Sequence, residues 1–393
     1  MKSKWTYRPL GELVSFASGG TPSKKRDDYW GGTIPWISAK TLKTENIDTS
    51  DLFITEEGLK AGSKIAPKGS ILLLTRGSGL FNGIPIARVE KDVAFNQDIK
   101  CLDSYGKVEN EFIFYWLLSQ KDYLMAKVGV TGIGAGKFDL DFLQKLMIPI
   151  PSERERKSIV GFANSISEKI RCNAKVNDNL YAQVKAIFSE NFLDLDFLPD
   201  GWKTGNLLDI ADYLNGLAMQ KYRPKDGETG LPVLKIKELR QGICDASSEL
   251  CSPSIKSEYI IHDGDIIFSW SGSLLVDIWC GGTCGLNQHL FKVTSNNYDK
   301  WFYYLWTAHH LDRFIAVAAD KATTMGHIKR EELEKVEVII PSKYDYKRIG
   351  ASIKPLFDLI ISNRIEDRKL TALRNTLLPK IMSGEIDVRD IQL

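Results

Sequence analysis

The stretch "GVTGIGAGKF", residues 129–138, combines four glycines with a lysine and no acidic residue, a composition that suits the binding of phosphate groups. A nucleotide-binding P-loop has the pattern GxxxxGK[ST], but Thr131 and Phe138 occupy its first and last positions here. In a second glycine-rich stretch, "RGSGLFNG", Asn82 stands where the GxGxxG dinucleotide fingerprint needs its last glycine. Both loops are therefore predicted to be turns, and a nucleotide-dependent enzyme is the alternative.

An internal duplication explains the first loop better than nucleotide chemistry does. The segment "FDLDFLQKLMIPIPS" ends at Ser152 and "IKREELEKVEVIIPS" ends at Ser342, which places Gly136 opposite Gly326 and Lys137 opposite His327. Upstream, "GTIPWISAKTL" matches "TGLPVLKIKEL", and "APKGSILLLTRGSG" matches "IHDGDIIFSWSGS". The glycines are thus predicted to form a turn shared by two copies of one architecture.

Each copy is predicted to be a mixed α/β globule. Short β-branched runs such as "SILLLT", "IPIARVE" and "DIIFSW" are bounded by glycine or proline, as strands are. The segments "EFIFYWLLSQKDYLMAK" and "KWFYYLWTAHHLDRFI" have helical spacing, and their aromatic residues are predicted to lie in the core.

A long helix is predicted after each globule. Ser152 and Glu155 form a capping-box pair at the first start, and Ser342 with Asp345 a weaker one at the second. A heptad seam with a polar centre follows over about four heptads. Its positions are Ile159, Ala163, Ile166, Ile170, Asn173, Asn177, Leu180, Val184 and Ile187, and then Ile349, Ile353, Leu356, Ile360, Asn363, Asp367, Leu370, Arg374 and Leu377.

The two helices are predicted to pack antiparallel about a pseudo-two-fold axis. Asn173 and Asn363 lie level with each other in such a pairing, where they would either fix the register or face solvent. Pro355 is expected to kink the second helix and Pro379 to end it.

The predicted domain scheme follows from these elements. It has a first globular domain over residues 1–150, a helix over 151–192, a linker over 193–200, a second globular domain over 201–340, a helix over 341–382 and a tail over 383–393.

Composition indicates a globular protein of several domains, since 43% of the 393 residues are hydrophobic and the formal net charge is only +2. Any nucleic-acid surface must therefore gather its basic residues on one face. The absence of an apolar run at the start and of a membrane-length segment predicts a cytoplasmic protein. Six cysteines indicate free thiols, and Cys280, Cys284 and His289 lack the second cysteine pair of a zinc site, so no metal is predicted.

Taken in order, these motifs resemble the specificity subunit of type I restriction-modification systems over essentially the whole chain. The resemblance rests on the two "GTP/IP" strand-loop openings, on the helix starts "IPIPSERERKSIV" and "VIIPSKYDYKRIG", and on the ending "LLPKIMSGEIDV". The second copy departs from it, because "MQKYRPKDGETGLPVL" lacks the "GGTPS" of residues 19–23. It implies that each globule is a target recognition domain for one half of an asymmetric bipartite DNA sequence. It also implies that the helices space these domains and dock modification (methyltransferase) subunits, two of them being expected, with restriction (motor and nuclease) subunits joining through the complex.

The resemblance further implies a chain without catalysis or cofactor of its own. S-adenosylmethionine, ATP and magnesium are expected on the partner subunits. The sequence agrees, because it contains no methyltransferase "NPPF"-like motif, no Walker A loop and no recognisable nucleophile elbow. The alternatives are a coiled-coil scaffold whose globules bind proteins and the nucleotide-dependent enzyme mentioned above.

Residues for DNA contact are predicted from side-chain type and position in loops, since Lys, Arg and small polar groups suit phosphates and Arg, Lys, Asn and Gln suit base edges. In the first domain they are Lys24, Lys25, Arg26, Tyr29, Lys40, Lys43, Arg76, Ser78, Asn82, Thr131 and Lys137. In the second domain they are Gln220, Lys221, Tyr222, Arg223, Lys235, Lys237, Trp270, Ser271, Ser273, Thr323, Thr324 and His327. The repeated pairs Asn96–Gln97 and Asn287–Gln288 are predicted to make a structural hydrogen bond or to read bases.

Overall fold

The computed structural model describes residues 5–132, 134–320 and 328–391, without the side chains of Asn82, Asp320 and Asp390. The chain forms two compact units, the first made of Met1–Glu168 with Thr371–Leu393 and the second of Lys169–Leu370. Both unit boundaries fall inside long helices, so each long helix contributes to both units.

The first unit is built mainly of short strands. They are β1 (Thr6–Pro9), β2 (Val14–Ser18), β3 (Trp30–Ile37), β4 (Asn46–Ile47), β5 (Phe53–Ile54), β6 (Lys64–Ala66), β7 (Ile71–Leu74), β8 (Ile86–Val89), β9 (Val93–Phe95), β10 (Ile99–Ser104), β11 (Gly129–Val130), β12 (Gly136–Lys137) and β13 (Met147–Ile150). Its helices are α1 (Glu56–Gly62), α2 (Asn110–Ser119), α3 (Lys121–Met125), α4 (Leu140–Gln144) and the first part of α5 (Glu153–Phe188).

These strands form one five-stranded sheet in the order β2-β10-β7-β8-β4 and one four-stranded sheet in the order β5-β3-β9-β6. The run "ILLL" of β7 is fully buried, as expected of a central strand. Two further pairs are antiparallel: β1 pairs with β13, and β11 pairs with β12 as a hairpin.

The second unit repeats this plan. Its strands are β14 (Lys203–Asn206), β15 (Asp212–Asn215), β16 (Leu231–Leu234), β17 (Leu250–Cys251), β18 (Ile260–Ile261), β19 (Asp265–Ser269), β20 (Leu275–Trp279), β21 (Cys284–Leu286), β22 (Leu290–Thr294) and β23 (Glu337–Ile340). Its helices are α6 (Leu207–Ile210), α7 (Ile236–Gln241), α8 (Lys300–His309), α9 (Leu311–Asp320), α10 (Arg330–Glu334) and most of α11 (Lys343–Met382).

The strand orders confirm the predicted duplication. The sheets β15-β22-β19-β20 and β17-β16-β21-β18 and the pair β14-β23 correspond to β2-β10-β7-β8, β5-β3-β9-β6 and β1-β13 of the first unit. The strand β4 and the hairpin β11-β12 have no counterpart among the described residues of the second unit. A parallel pair lies in the equivalent place of both units, with Trp36 opposite Ala94 and Val233 opposite Gly285. The mixed α/β fold class is therefore correct for both copies.

The aromatic helical segments lie in the cores, as predicted, although each divides into two helices, at Gln120 and at His310. In the second unit one hydrophobic cluster joins Phe268 of the sheet and Phe302 of α8 to Val184 of α5 and Ile353 of α11. The seam residues of both long helices thus belong to the core of the globule that they support.

The helices run antiparallel in the second unit. The side-chain amide of Asn173 donates to Asp367 Oδ1 (2.6 Å) and Glu366 Oε2 (2.8 Å), and that of Asn363 donates to Asn177 Oδ1 (2.9 Å). Both Asn173 and Asn363 are buried, so the alternative that they face solvent is wrong. Paired amides at the polar centre of a seam permit one register only, because any shift leaves a buried polar group without a partner.

The two prolines of α11 have different outcomes. The helix is not interrupted at Pro355, where Ile353 and Phe357 on either side are buried in the core cluster, and the kink expected there stays a prediction. The end expected at Pro379 is wrong, because the helix continues to Met382, where Leu378, Ile381 and Met382 bury the last turn. Gly384 ends it instead, with a φ of 72° and a backbone N–H that donates to the Ile381 carbonyl (3.0 Å).

Among the described residues, no helix combines the length and the apolar content that crossing a bilayer requires.

Candidate nucleic-acid interface

The glycine-rich stretch that contains Gly136 and Lys137 forms a β-hairpin rather than a nucleotide-binding loop. Thr131 N–H donates to the Ala135 carbonyl (2.7 Å), and the Thr131 hydroxyl accepts from Ala135 N–H (3.0 Å), which closes the turn between β11 and β12. Gly136 has to be glycine, because a Cβ there would lie 2.9 Å from Leu80 Cβ and 3.1 Å from the Gly77 carbonyl oxygen. Its glycine therefore serves close packing, and Lys137 projects from the opposite, exposed face.

The two glycine-rich stretches meet in the fold. Gly77 N–H donates to the Gly136 carbonyl (2.9 Å) and Phe138 N–H donates to the Thr75 carbonyl (2.9 Å), so that Arg76 and Lys137 form an antiparallel bridge. The same junction recurs in the second unit, where Ile328 N–H donates to the Trp270 carbonyl (2.9 Å). Thr75 thus corresponds to Trp270, and Arg76 to Ser271.

The loop after β3 lies beside this junction. A Cβ on Gly77 would lie 4.0 Å from Ala39 Cβ, so the exposed Lys40, which follows Ala39, lies near the Arg76 loop in space. Ser78 lies in the Arg76 loop and Lys43 in the loop after β3, and both are exposed. The structure therefore groups three predicted segments in the first unit: residues 38–43, residues 76–83 and the hairpin 129–137.

The segment with Lys24, Lys25, Arg26 and Tyr29 lies elsewhere, against α1 and β5. The Trp30 and Trp36 indoles donate to the carbonyls of Ser23 (3.2 Å) and Gly20 (3.1 Å) and hold the start of the loop. Gly19 and Gly20 admit no side chain there, because a Cβ would lie 2.0 Å from the Phe95 carbonyl oxygen and 2.1 Å from that of Gly62. The loop backbone is therefore fixed while its lysines stay exposed.

Among the cations predicted to contact DNA in the first domain, Arg26 alone has an ion pair with another described residue. Its guanidinium donates to both oxygens of Asp28 (2.8 and 2.6 Å) and lies over the Tyr29 ring, 4.8 Å from its centroid. The hydrogen bonds from Arg26 lower the pKa of the Asp28 carboxyl. The remaining cations of the set form no ion pair within the described part of the chain; they are Lys24, Lys25, Lys40, Lys43, Arg76 and Lys137.

The second unit differs, because its predicted basic residues are largely paired with carboxylates. Arg223 Nη2 lies 2.8 Å from Glu249 Oε2, Lys235 binds the other oxygen of Glu249, and Lys237 lies 3.6 Å from Asp245 Oδ2. Hydrogen bonds from Lys235 and then Arg223 lower the pKa of Glu249. These carboxylates stay ionised near neutral pH and offset the cations beside them.

The other predicted residues of the second unit are divided by their exposure. Gln220, Lys221 and Tyr222 are exposed around a short 3-10 turn, and Trp270 and Ser273 are half-buried. The Trp270 indole donates to Asn215 Oδ1 (3.0 Å). Ser271 is only 3% exposed, so this conformation does not offer it to a ligand.

Several predicted positions have no structural outcome. Thr323, Thr324 and His327 lie outside the described residues, as does the side chain of Asn82.

The repeated asparagines are structural. Asn96 and Asn287 are both buried, and their side-chain oxygens accept backbone N–H groups two residues on, from Asp98 (3.2 Å) and His289 (3.3 Å). Each thus closes an equivalent turn after β9 or β21, which favours the structural alternative over base reading.

A family comparison decides what kind of chain this is. The model of the "Type I restriction modification DNA specificity domain" family matches twice, over residues 2–182 and 199–372. The chain belongs to this family. As a specificity chain it is a DNA-recognition subunit of a type I restriction-modification complex and not a catalytic one.

Relatives and a solved structure agree with this membership. The specificity chain is 26% identical over 418 aligned positions to the type I restriction enzyme MjaIX specificity subunit of Methanocaldococcus jannaschii, covering 98% of this chain and 94% of the relative. It is 29% identical to the Escherichia coli EcoR124I/EcoR124II specificity subunit over 44% of this chain and 46% of that one. A crystal structure of the type I S subunit from M. genitalium shares the fold, with a TM-score of 0.57 at 16% identity over 96% of each chain.

The cysteines of the specificity chain do not assemble a metal site in its described part. Cys280 and Cys284 are buried, and no group of three or more His, Cys, Asp or Glu side chains is placed to hold an ion among the described residues.

Sequence reasoning missed the arginines that attach the recognition domains to α11. Arg364 donates to both oxygens of Asp277 on β20 (2.8 Å each), and Arg368 donates to Asp263 Oδ2 (2.6 Å) in the second unit. In the first unit Arg374 donates to both oxygens of Glu45 (2.6 and 2.9 Å). The only signal in the sequence is that Arg374 lies between Leu370 and Leu377, outside the polar centre of the seam, which indicates a buried partner without identifying it.

Proposed function

We propose that this chain reads an asymmetric, two-part DNA target, with one recognition domain for each part and a spacer of unread bases between them. One observation carries the proposal: the two domains share a strand order and an inter-loop junction but present different side chains there. At equivalent positions of the junction the first domain has Thr75 and Arg76 and the second has Trp270 and Ser271. A common frame with different side chains is what two readers of different half-sites require.

The basic residues of the first domain support a DNA ligand over a protein one. Of its seven predicted contact cations, six are exposed and form no ion pair among the described residues, namely Lys24, Lys25, Lys40, Lys43, Arg76 and Lys137, although the whole chain has a net charge of only +2. A scaffold that binds proteins has no need of such a surface, and its affinity for DNA would not fall steeply with salt. Release of counterions makes true phosphate binding strongly salt-dependent.

Two modification subunits are proposed to dock on the helices, with restriction subunits joining the same complex. Exposed large apolar residues of the long helices are proposed as contact positions for these partners; they include Val176 on α5 and Tyr344, Leu359 and Leu373 on α11. We further propose that S-adenosylmethionine, ATP and magnesium bind to those partners and not to this chain, and that the complex acts in the cytoplasm.

A genome-wide methylation map in cells with and without this chain tests the function. The expected result is a methylated, gapped, asymmetric motif that disappears when the chain is removed. Incubation of the purified chain alone with S-adenosylmethionine or ATP tests the enzyme alternative, and turnover of either would contradict the proposal.

A further inference from the structure

Arg76 and Lys137 lie as close together as two strand residues can. The backbone hydrogen bonds run from Gly77 to Gly136 and from Phe138 to Thr75, so the bridge between them is of the non-hydrogen-bonded type. In such a pair the Cα atoms are about 4.5 Å apart and the side chains leave the same face. Two positive side chains therefore stand next to each other.

No carboxylate in the described part of the chain balances this pair. Asp98, whose carbonyl accepts the Arg76 N–H, has its carboxylate bound to the Asn96 amide (3.2 Å). Asp139, which follows Phe138, caps α4 by accepting the Asp141 N–H (3.0 Å). Like charges directly opposite each other destabilise a strand pair, so the site favours an anion between them.

The backbone under the two cations is fixed. Gly136 packs where no Cβ fits, Phe138 is buried, and Gly77 has a φ of 131° that only glycine adopts readily. Lys137 pairs on its other side with Gly129, which has no side chain and leaves the face open. The backbone that carries the two charges is thus fixed before any ligand arrives, which reduces the entropy cost of binding.

We propose that Arg76 and Lys137 together bind one backbone phosphate of the DNA half-site read by the first domain. This phosphate clamp, defined as these two side chains, rests on the proposed function and assigns to it a ligand group. Arg76 supplies two parallel N–H donors for the phosphate oxygens and Lys137 a point charge. The second domain has the buried Ser271 at the position of Arg76, so the clamp belongs to the first domain alone.

The test measures binding of the assembled complex to its target duplex and to an unrelated duplex at several salt concentrations. Arg76→Ala, Lys137→Ala and the double variant are each expected to weaken affinity for both duplexes by about tenfold. The double variant is expected to be only slightly worse than either single one, and the slope of log K against log salt to fall by about 0.9, the value for one phosphate. Lys107→Ala, which removes an exposed lysine of the same unit, is the matched control and should change little.

A set of duplexes, each with a single uncharged methylphosphonate, locates the phosphate. One substitution is expected to weaken the unmodified complex and to leave the double variant unaffected. Additive losses with a slope change of about 1.8 would mean two separate phosphates and would overturn the clamp, as would an unchanged slope. If the unmodified complex binds no duplex at all, the proposed function fails instead. Thermal unfolding of each variant shows whether the domain remains folded.

Discussion

The first recognition domain has the exposed Arg76 where the second has the buried Ser271. The two residues nevertheless follow equivalent strands, β7 and β19, and lie beside equivalent segments. The contrast extends over both surfaces. In the first domain Lys40, Lys43 and Lys137 have no ion pair among the described residues, whereas in the second Arg223 and Lys235 share Glu249. The same backbone fold thus carries unpaired cations in the first domain and paired cations in the second. We infer that the first domain depends more on phosphate charge and the second more on neutral contacts.

The attachment of the domains to α11 differs as well. The first unit uses Arg374, which is 5% exposed and bound to Glu45, while the second uses Arg364 and Arg368 on successive turns. The buried Arg374 loses its counter-charge when Glu45 is removed, whereas Arg364 and Arg368 are partly exposed and each has its own carboxylate. The duplicated fold therefore does not imply equal sensitivity to mutation in its two halves.

Exchange of a whole recognition domain should have the largest effect on the DNA sequence that is recognised. Replacing residues 1–150 with the corresponding domain of another specificity chain is expected to change one half-site completely and to leave the other as it was. The reason is that each unit carries its own sheets and its own junction. A methylation map of the hybrid checks this, and a change in both half-sites would show that the two readers are not independent.

Lengthening both helices should alter the spacer without altering either reader. The predicted seam from Ile159 to Ile187 spans roughly 42 Å at 1.5 Å per residue, which is on the order of one turn of DNA. One added heptad in each helix keeps the seam in phase and adds about 10.5 Å. The preferred spacer is expected to grow by about three base pairs, at about 3.4 Å each, with the half-site bases unchanged. Methylation mapping decides the matter, and an unchanged spacer would show that the helices do not set the distance.

Glu45→Gln tests whether the two recognition domains depend to different degrees on their ion pairs with α11. It leaves the buried Arg374 without a counter-charge and should lower the free energy of unfolding of the first unit by about 3 kcal/mol. Asp277→Asn should cost less, since the Arg364 side chain is 29% exposed. Denaturant unfolding with hydrogen exchange in each unit measures both, and adding Arg374→Met to Glu45→Gln should recover stability by removing the buried charge. Equal losses in the two units would contradict this difference.

The same ion pair predicts a dependence on pH. Burial by itself raises the pKa of Glu45, but Arg374 and then Lys121 outweigh it, so the pKa is lower than in the unfolded chain. A lowered pKa stabilises the folded state fully above the unfolded value of about 4.5, and this contribution is lost as pH falls through the folded value. The acid limb of the stability curve of the first unit should therefore flatten in the Glu45→Gln variant.

The smallest expected effect comes from Glu249→Gln in the second domain. The change releases Arg223 and Lys235, so DNA affinity should rise roughly threefold and the salt slope should steepen by up to about 1.8. Asp226→Asn removes an equally exposed negative charge without releasing a cation and serves as the control. Binding isotherms over a salt series measure both. If the two variants behaved alike, the pairing with Glu249 would not mask the cations.

The sequence alone determined the duplication, the mixed α/β class of each copy, both long helices and a turn in the glycine-rich stretch. These features depend on local chemistry: β-branched runs, heptad spacing and turn residues recur in both copies and specify similar backbones wherever they occur. The heptad pattern placed Asn173 and Asn363 at the centre of the seam, but only the structure showed that they are buried.

Only the tertiary structure decided which distant residues meet. It brought Arg76 to Lys137, buried Ser271, paired Arg223 and Lys235 with Glu249, and supplied Glu45 as the partner of Arg374. It also carried α11 past Pro379, because burial of the last turn outweighs one lost backbone hydrogen bond. Such pairings depend on how strands and loops close in space, and the periodicity of a single segment contains no information about the segment that will lie against it.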